Sequence, residues 1–217
     1  MQKVWAMIAD IVDSRSVKER GVFQRGLKQT LKQLSGASPE AYLSPLTITL
    51  GDEFQAVYGD FSAVLPHMLE ILQFLSPHKL RVALAYGELT TDINPNAALE
   101  MDGPAFNLAR GCMEGLKKRQ STALLIDGLP EDRLPLINAA CTLLANALND
   151  WKPATLRIAR GLQKGESAQN LSKMLGITPR AVHKNIATNY VRDILAAMDA
   201  INREVRGLTE EKGGRFT

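Results

Sequence analysis

Two aspartates carry the first chemical signal in the chain. Asp10 closes a short apolar run, 3–9, and Asp52 sits in the Gly51-Asp52 step between two β-favouring runs, 46–50 and 53–58. Carboxylates held at adjacent strand ends bind Mg²⁺ or Mn²⁺ for phosphate chemistry. Hard cations take oxygen ligands, and two carboxylates leave positions open for water and substrate. Ile11 would add its backbone carbonyl. Each Asp taken singly also reads as a turn former, as Asp after a strand and Gly-Asp at a hairpin tip commonly are. Glu53 reads equally as a hairpin surface residue or as a third acid near a metal.

A second constellation lies at 167–190. Leu171, Leu175, Val182 and Ile186 are apolar at helical spacing, and small Ser172 suits a close helix approach. Gly176 falls where the chain must turn. Thr178 before Pro179 is an N-cap followed by proline at the first helical position. The pattern predicts a helix-turn-helix. Arg180, His183, Lys184 and Thr188 fall on its outward face, with Ala181, Val182 and Ile186 inward. Such a polar face is either solvated or in contact with a DNA groove. Thr178 and Arg180 are placed to reach base edges or phosphates, and Lys173, Arg157, Arg160 and Lys164 to position the module on phosphates.

The elements that would hold these residues follow from periodicity. A strand at 3–9, a helix near 17–34, a loop over 36–45, the hairpin, a helix at 61–75 and a strand at 80–86 give the order βαββαβ. That order predicts an α+β fold, a ferredoxin-like antiparallel sheet with helices. It sets Asp10 beside the hairpin that carries Asp52. A loop over 90–95, a helix at 104–118 with Asp102 as its N-cap, a strand at 121–127 and a helix at 130–149 complete a first domain, 1–150. A small all-α domain, 151–206, follows. Its last helix, 191–205, has an apolar stripe that either packs on its own domain or forms a homodimer seam. Residues 207–217 read as a disordered tail.

Charge divides the same way. Residues 151–206 contain ten Lys/Arg and four Asp/Glu, net +6, whereas 1–150 contain fourteen and seventeen, net −3. A basic module behind an acidic body fits a phosphate-backbone partner. Cys112 and Cys141 stand in helical patterns without CxxC spacing, as buried thiols of a reducing compartment do. The three histidines form no cluster with Cys or Asp. No Gly-x-Ser-x-Gly, phosphate-cradling Walker loop, signal peptide or membrane-length apolar run is present, so the chain reads as cytoplasmic. Lys117-Lys118-Arg119 reads as favourable charge at a helix C-terminus.

Family resemblance adds to this reading. Ile8-Ala9-Asp10-Ile11-Val12 resembles the first metal motif of class III nucleotide cyclases, and Thr49-Leu50-Gly51-Asp52-Glu53-Phe54-Gln55-Ala56-Val57-Tyr58 resembles their second. Residues 81–88 are similar to the strand that follows, and 103–110 to their last active-site helix. With the helix-turn-helix, the whole resembles the SatD family of bacterial proteins. The resemblance implies a cyclase-like domain with Asp10 and Asp52 as metal ligands and with Ile11, Arg15, Asn107 and Arg110 around a nucleotide. It places Glu100 where cyclases have a base-contacting acid, although solvated loop is the plainer reading.

Three departures bear on catalysis. Ile48 stands where cyclases carry a base-selecting Lys, and Asp13-Ser14-Arg15 where their Gly-Phe-Thr cradles triphosphate. Gly111 occupies the place of the transition-state Arg, with Arg110 about 100° away around the helix. The expectation is therefore a DNA-binding regulator with a nucleotide- or metal-binding domain that does not cyclise. The alternatives are a metal-dependent nucleotide cyclase or nucleotidyl-transfer enzyme using Asp10 and Asp52, and a protein-interaction module.

Overall fold

The computed structural model describes residues 2–14 and 17–213, the last three by backbone alone. Strand β1 (Lys3–Ile11) is buried at every residue but its first. A strand covered on both faces reads as a continuous apolar run rather than an alternating one. Trp5, Met7, Ala9 and Ile11 enter one core, while Val4, Ala6 and Ile8 enter a second on the opposite face. Helix α1 (Arg20–Ala37) leads to β2 (Tyr42–Leu50), which turns at Gly51-Asp52 into β3 (Glu53–Tyr58). Helix α2 (Val64–Leu75), β4 (Leu80–Glu88), α3 (Pro104–Lys118), β5 (Leu124–Asp127) and α4 (Leu134–Asp150) follow. The sheet order is β2-β3-β1-β4-β5, antiparallel except for β4 with β5. This is the expected ferredoxin-like order with one parallel strand added. Helices α1, α2 and α4 pack on the first face, and α3 covers the second.

Four helices follow among the described residues: α5 (Pro153–Gln163), α6 (Ala168–Leu175), α7 (Pro179–Thr188) and α8 (Val191–Gly213). Their apolar residues Leu156, Ile158, Leu171, Val182, Val191, Met198, Ile201 and Val205 join the core that begins under the sheet. Three polar links reinforce this seat. Arg160 on α5 pairs with Glu70 on α2, Arg133 pairs with Glu204 at 2.8 Å, and Asn202 Nδ2 donates to the Ser62 carbonyl at 3.3 Å. No helix among the described residues is long and apolar enough to cross a membrane.

Several boundaries differ from the sequence reading, each for a local reason. Helix α1 starts at Arg20 rather than 17, because Glu19 takes a left-handed φ of 56°. The loop expected over 36–45 is instead the end of α1, a short 3-10 turn (Pro39–Ala41) and the start of β2. Pro45 is tolerated inside β2 because that strand lies at the sheet edge. The strand expected over 121–127 begins only at Leu124. Gly103, not Asp102, caps α3. Its φ of 145° and the backbone of Leu89 and Thr90, each 2.7 Å from where a Cβ would stand, leave room only for glycine. Residues 207–213, expected to be disordered, continue α8, since Leu208 extends its apolar stripe onto the core. Residues 214–217 of that expected tail lie outside the described residues. The same stripe lies against α4, α5 and α7 of its own chain, so its buried residues are occupied within the monomer.

Asn149 near the end of α4 fastens the helical layer to the sheet. Its Oδ1 accepts from Leu80 N–H at 2.7 Å, and its Nδ2 reaches the carbonyls of Leu80, Thr122 and Ala145 at 2.9–3.0 Å. A substitution that removes the acceptor of a buried N–H costs that group's desolvation as well as the bond. Asn149→Leu is expected to lower the unfolding free energy by about 2–4 kcal/mol in urea denaturation.

His67 on α2 stacks on Tyr42 with ring centroids 5.1 Å apart, and its Nδ1 lies 2.7 Å from the Tyr42 hydroxyl and 3.3 Å from that of Tyr58. Burial pushes its pKa down to about 4, against the upward pull of Glu40. The unfolded chain therefore binds a proton near pH 6.5 that the folded chain refuses until about pH 4. Stability from this residue is complete above pH 6.5 and is lost as the pH falls towards 4, by roughly 3 kcal/mol. Unfolding free energies measured over that window should slope less in His67→Gln, which keeps an acceptor and cannot titrate. An identical slope in the variant would refute the assignment.

Candidate functional site

Strand register builds the site at the end of β1. Asp10 pairs across to Glu53 on β3 and across to Arg81 on β4. Directly opposed residues share a sheet face, so Glu53, Asp10 and Arg81 form one row beneath α3. Two carboxylates side by side repel, and the row is completed by Lys117 from the last turn of α3. Its Nζ lies 3.1 Å from Asp10 Oδ1 and 3.1 Å from Glu53 Oε2. Arg81 Nη1 donates to Asp10 Oδ2 at 2.8 Å, and its Nε donates to the Ser121 carbonyl at 2.9 Å. Asp10 is buried, with its side chain 10% exposed, so a counter-charge is required there. Burial lowers the Lys117 pKa, but its hydrogen bonds to Glu53 and Asp10 outweigh that and raise it. The ammonium is accordingly charged throughout the neutral range.

The residues expected to hold a metal divide. Both oxygens of Asp10 are taken by cations of the protein itself. Asp52 lies in the hairpin turn, where its Oδ2 accepts a short hydrogen bond from Ser14 Oγ. Ile11 uses its N–H on the Asp52 carbonyl at 3.2 Å and buries its side chain in the core. Among the described residues no three His, Cys, Asp or Glu side chains form a metal-binding group. As arranged, these residues do not fit a divalent cation, because Lys117 stands between the two carboxylates that face each other. Arg15 lies outside the described residues.

Beside this row is a cleft of about 400 Å³ lined by Ile8, Thr49, Glu53, Gln55, Arg110, Met113, Glu114 and Lys117. Arg110 opens onto it, is half exposed, and lies 3.5 Å from Asp102 with its guanidinium over the Phe106 ring. Asn107 is exposed on α3 and is not among the cleft residues. Ile48, in the base-selecting position, lines a groove against α1 instead. Sequence reasoning set Lys117 at the helix dipole, in preference to a phosphate contact. Nothing in its local sequence signals the role, which comes from the sheet register and the reach of α3.

Helix α7 is capped at Thr178 and α6 ends at Gly176 as their sequence predicts, and Ser167 caps the start of α6. Ser167 Oγ accepts from Asn170 N–H at 3.1 Å, Thr178 Oγ1 accepts from Ala181 N–H at 3.2 Å, and Gly176 takes φ 65°. Val182 and Ile186 face inward, and Arg180, His183, Lys184, Thr188 and Lys173 are exposed. Ala181, expected inward, is exposed as well, and the buried residues of α7 are Val182 and Ile186. Thr178 already uses its oxygen as the α7 cap. Arg160, expected at a phosphate, is turned inward onto Glu70, whereas Arg157 and Lys164 are exposed.

Comparison with known proteins gives the following likenesses. A family model described as the SatD family matches residues 4–141. No curated protein matches the sequence. A bacterial light-regulated adenylyl cyclase is 15% identical over 57% of this chain and 74% of its own, with a TM-score of 0.42. The catalytic core of a rhodopsin-guanylyl cyclase with converted specificity, in complex with ATPalphaS, is 15% identical over 58% and 76%, with a TM-score of 0.44. A monomeric guanylyl cyclase domain of the RhoGC fusion protein from the aquatic fungus Blastocladiella emersonii is 16% identical over 58% and 80%, with a TM-score of 0.39.

If the Lys117 ammonium is what occupies the space between the carboxylates, removing it should open a cation site. Lys117→Met is expected to bind Mn²⁺ with a Kd on the order of 10⁻⁴ to 10⁻³ M, at least about tenfold tighter than the parent. Loss of the free-Mn²⁺ electron paramagnetic resonance signal on titration reads this directly. Equal affinities would refute it.

Proposed function

The chain belongs to the SatD family, and from that footing we propose that it is a DNA-binding regulator. In this reading residues 167–190 are a helix-turn-helix whose second helix, α7, enters the major groove. The observation that carries it is the outer face of α7. Arg180 and Lys184, one turn apart, are exposed and in no ion pair among the described residues, and His183, Thr188 and Lys173 are exposed with them. Arg180 and Lys184 contact phosphates or base edges, and Lys173 holds the preceding helix on the backbone. Thr178 sets the start of α7 and keeps its hydroxyl hydrogen and a second lone pair for DNA.

The sheet domain is the sensing part of this proposal. Its ligand is a nucleotide taken in the cleft beside α3, where Arg110 offers charge to phosphates. It does not cyclise, since Gly111 supplies no side chain and Lys117 replaces the metal. A ligand that prefers one seating of α5 on α2 shifts DNA affinity by that preference and by no more. The alternative, a metal-dependent cyclase or nucleotidyl-transfer enzyme using Asp10 and Asp52, needs Asp10 free for a metal. Arg81 and Lys117 hold both of its oxygens.

Arg180→Ala is expected to weaken duplex DNA binding roughly tenfold and to reduce the slope of log affinity against log salt by about one. Fluorescence anisotropy over a salt series checks both. A folded variant with the parent's affinity and slope would remove the assignment.

A further inference from the structure

A groove lies between α1 and the edge strand β2, on the sheet face opposite the Asp10 row. It measures about 830 Å³ and is lined by Arg25, Lys28 and Lys32 on one wall, with Leu31, Pro45, Leu46 and Ile48 beneath. Its other residues are neutral, and among the described residues no carboxylate or aromatic ring lines it. Helix α1 contains Arg20, Arg25, Lys28 and Lys32 and no acidic residue. None of these four cations is in an ion pair among the described residues. Val22, 55% exposed, and Leu50, 75% exposed, flank the end at Gly21 and Gly51.

Position and charge together select an occupant. The groove runs along about 21 Å of α1, from Gly21 to Ser35. Its other wall is β2, the edge strand of the sheet, alongside which an extended polypeptide can lie. Arg25, Lys28 and Lys32 stand at steps of about 4.5 and 6 Å along the axis. Alternate residues of an extended chain, about 6.7 Å apart, bring their side chains within reach of that row. Single-stranded nucleic acid would also offer spaced anions, but it binds by stacking on aromatic rings, which this groove lacks.

We propose that the groove docks an extended segment of a partner protein in which acidic and aliphatic residues alternate. The acids pair with Arg25, Lys28 and Lys32, and the aliphatic side chains lie on Leu46 and Ile48.

The test uses the full chain and a rhodamine-labelled octapeptide alternating Glu and Val, followed by fluorescence anisotropy. Saturable binding is expected, with the Kd rising at least about tenfold in the double variant Lys28→Glu, Lys32→Glu, whose fold is checked by circular dichroism. Arg180→Ala should leave the Kd unchanged, which separates this groove from the α7 face. An unchanged Kd in the double variant overturns the proposal. So does equal binding of a Glu-Ser octapeptide, which discards the aliphatic floor. Tighter binding of oligothymidylate through the same two lysines overturns it in favour of nucleic acid.

Discussion

A buried carboxylate on a central strand has to be neutralised, and the way Asp10 is neutralised organises the whole sheet end. Register puts Glu53, Asp10 and Arg81 in a row, two negative charges and one positive. Lys117 supplies the missing charge by reaching over from α3. Helix α3 is therefore fixed at both ends, by Gly103 against Leu89 and Thr90 and by Lys117 against the carboxylates. A divalent ion could balance the same row. A lysine does so with a charge that cannot leave, and it keeps three donors rather than an open coordination sphere. The site thereby becomes a fixed part of the fold.

The helical C-terminal part is bound into that fold more closely than its different charge suggests. Trp151 is buried at the junction, and the apolar residues of α5 to α8 continue the core beneath the sheet. Swinging these helices away would part α5 from α2 and α8 from α4, and each apolar side chain uncovered there is worth about 1.5–3 kcal/mol of burial. Free swinging is excluded on that scale, and any coupling between the sheet and α7 must work by small shifts at packed contacts. The joint between α2 and α5 is the natural place for them. There Arg160 pairs with Glu70 while its own Nε is buried without a partner among the described residues. An unsatisfied donor makes that seating less stable than it could be.

Local chemistry was legible in the sequence wherever it was self-contained. The caps at Thr178 and the turn at Gly176 depend on neighbours within four residues, and they stand as read. The strand order followed from alternation of β and α patterns, because βαββαβ has few ways to close. Asp10 was found as a residue with chemistry to do, but its partners were not. Lys117 and Arg81 lie more than seventy positions away in sequence, and only the register of three strands and the tilt of one helix bring them to it. The motif pair Asp10 and Asp52 suggested a metal for the same reason. Spacing records where a carboxylate sits and not which cation has already reached it. The edges of α1, β2 and α8 were missed where tertiary cover overrode local propensity, as at Pro45 on an edge strand and Leu208 against the core.

The distribution of paired and unpaired cations gives the structure its direction. Around the sheet end and between helices, Lys79, Arg81, Lys117, Arg133 and Arg160 each meet a carboxylate. On α1 and α7, among the described residues, they do not. A surface ion pair is worth only about 0–1 kcal/mol, so lacking one is no anomaly for a single lysine. Rows are different. Lys28 with Lys32, and Arg180 with Lys184, are like charges one helical turn apart, an arrangement that weakens a helix by a few tenths of a kcal/mol per pair. Each row is a small, fixed cost to folding with no internal return. An anion laid along the helix reverses its sign, because repulsion between the cations becomes shared attraction to the ligand. The two faces differ in shape, a convex helix on α7 and a trough beside α1, and on the two proposals above they take different anions.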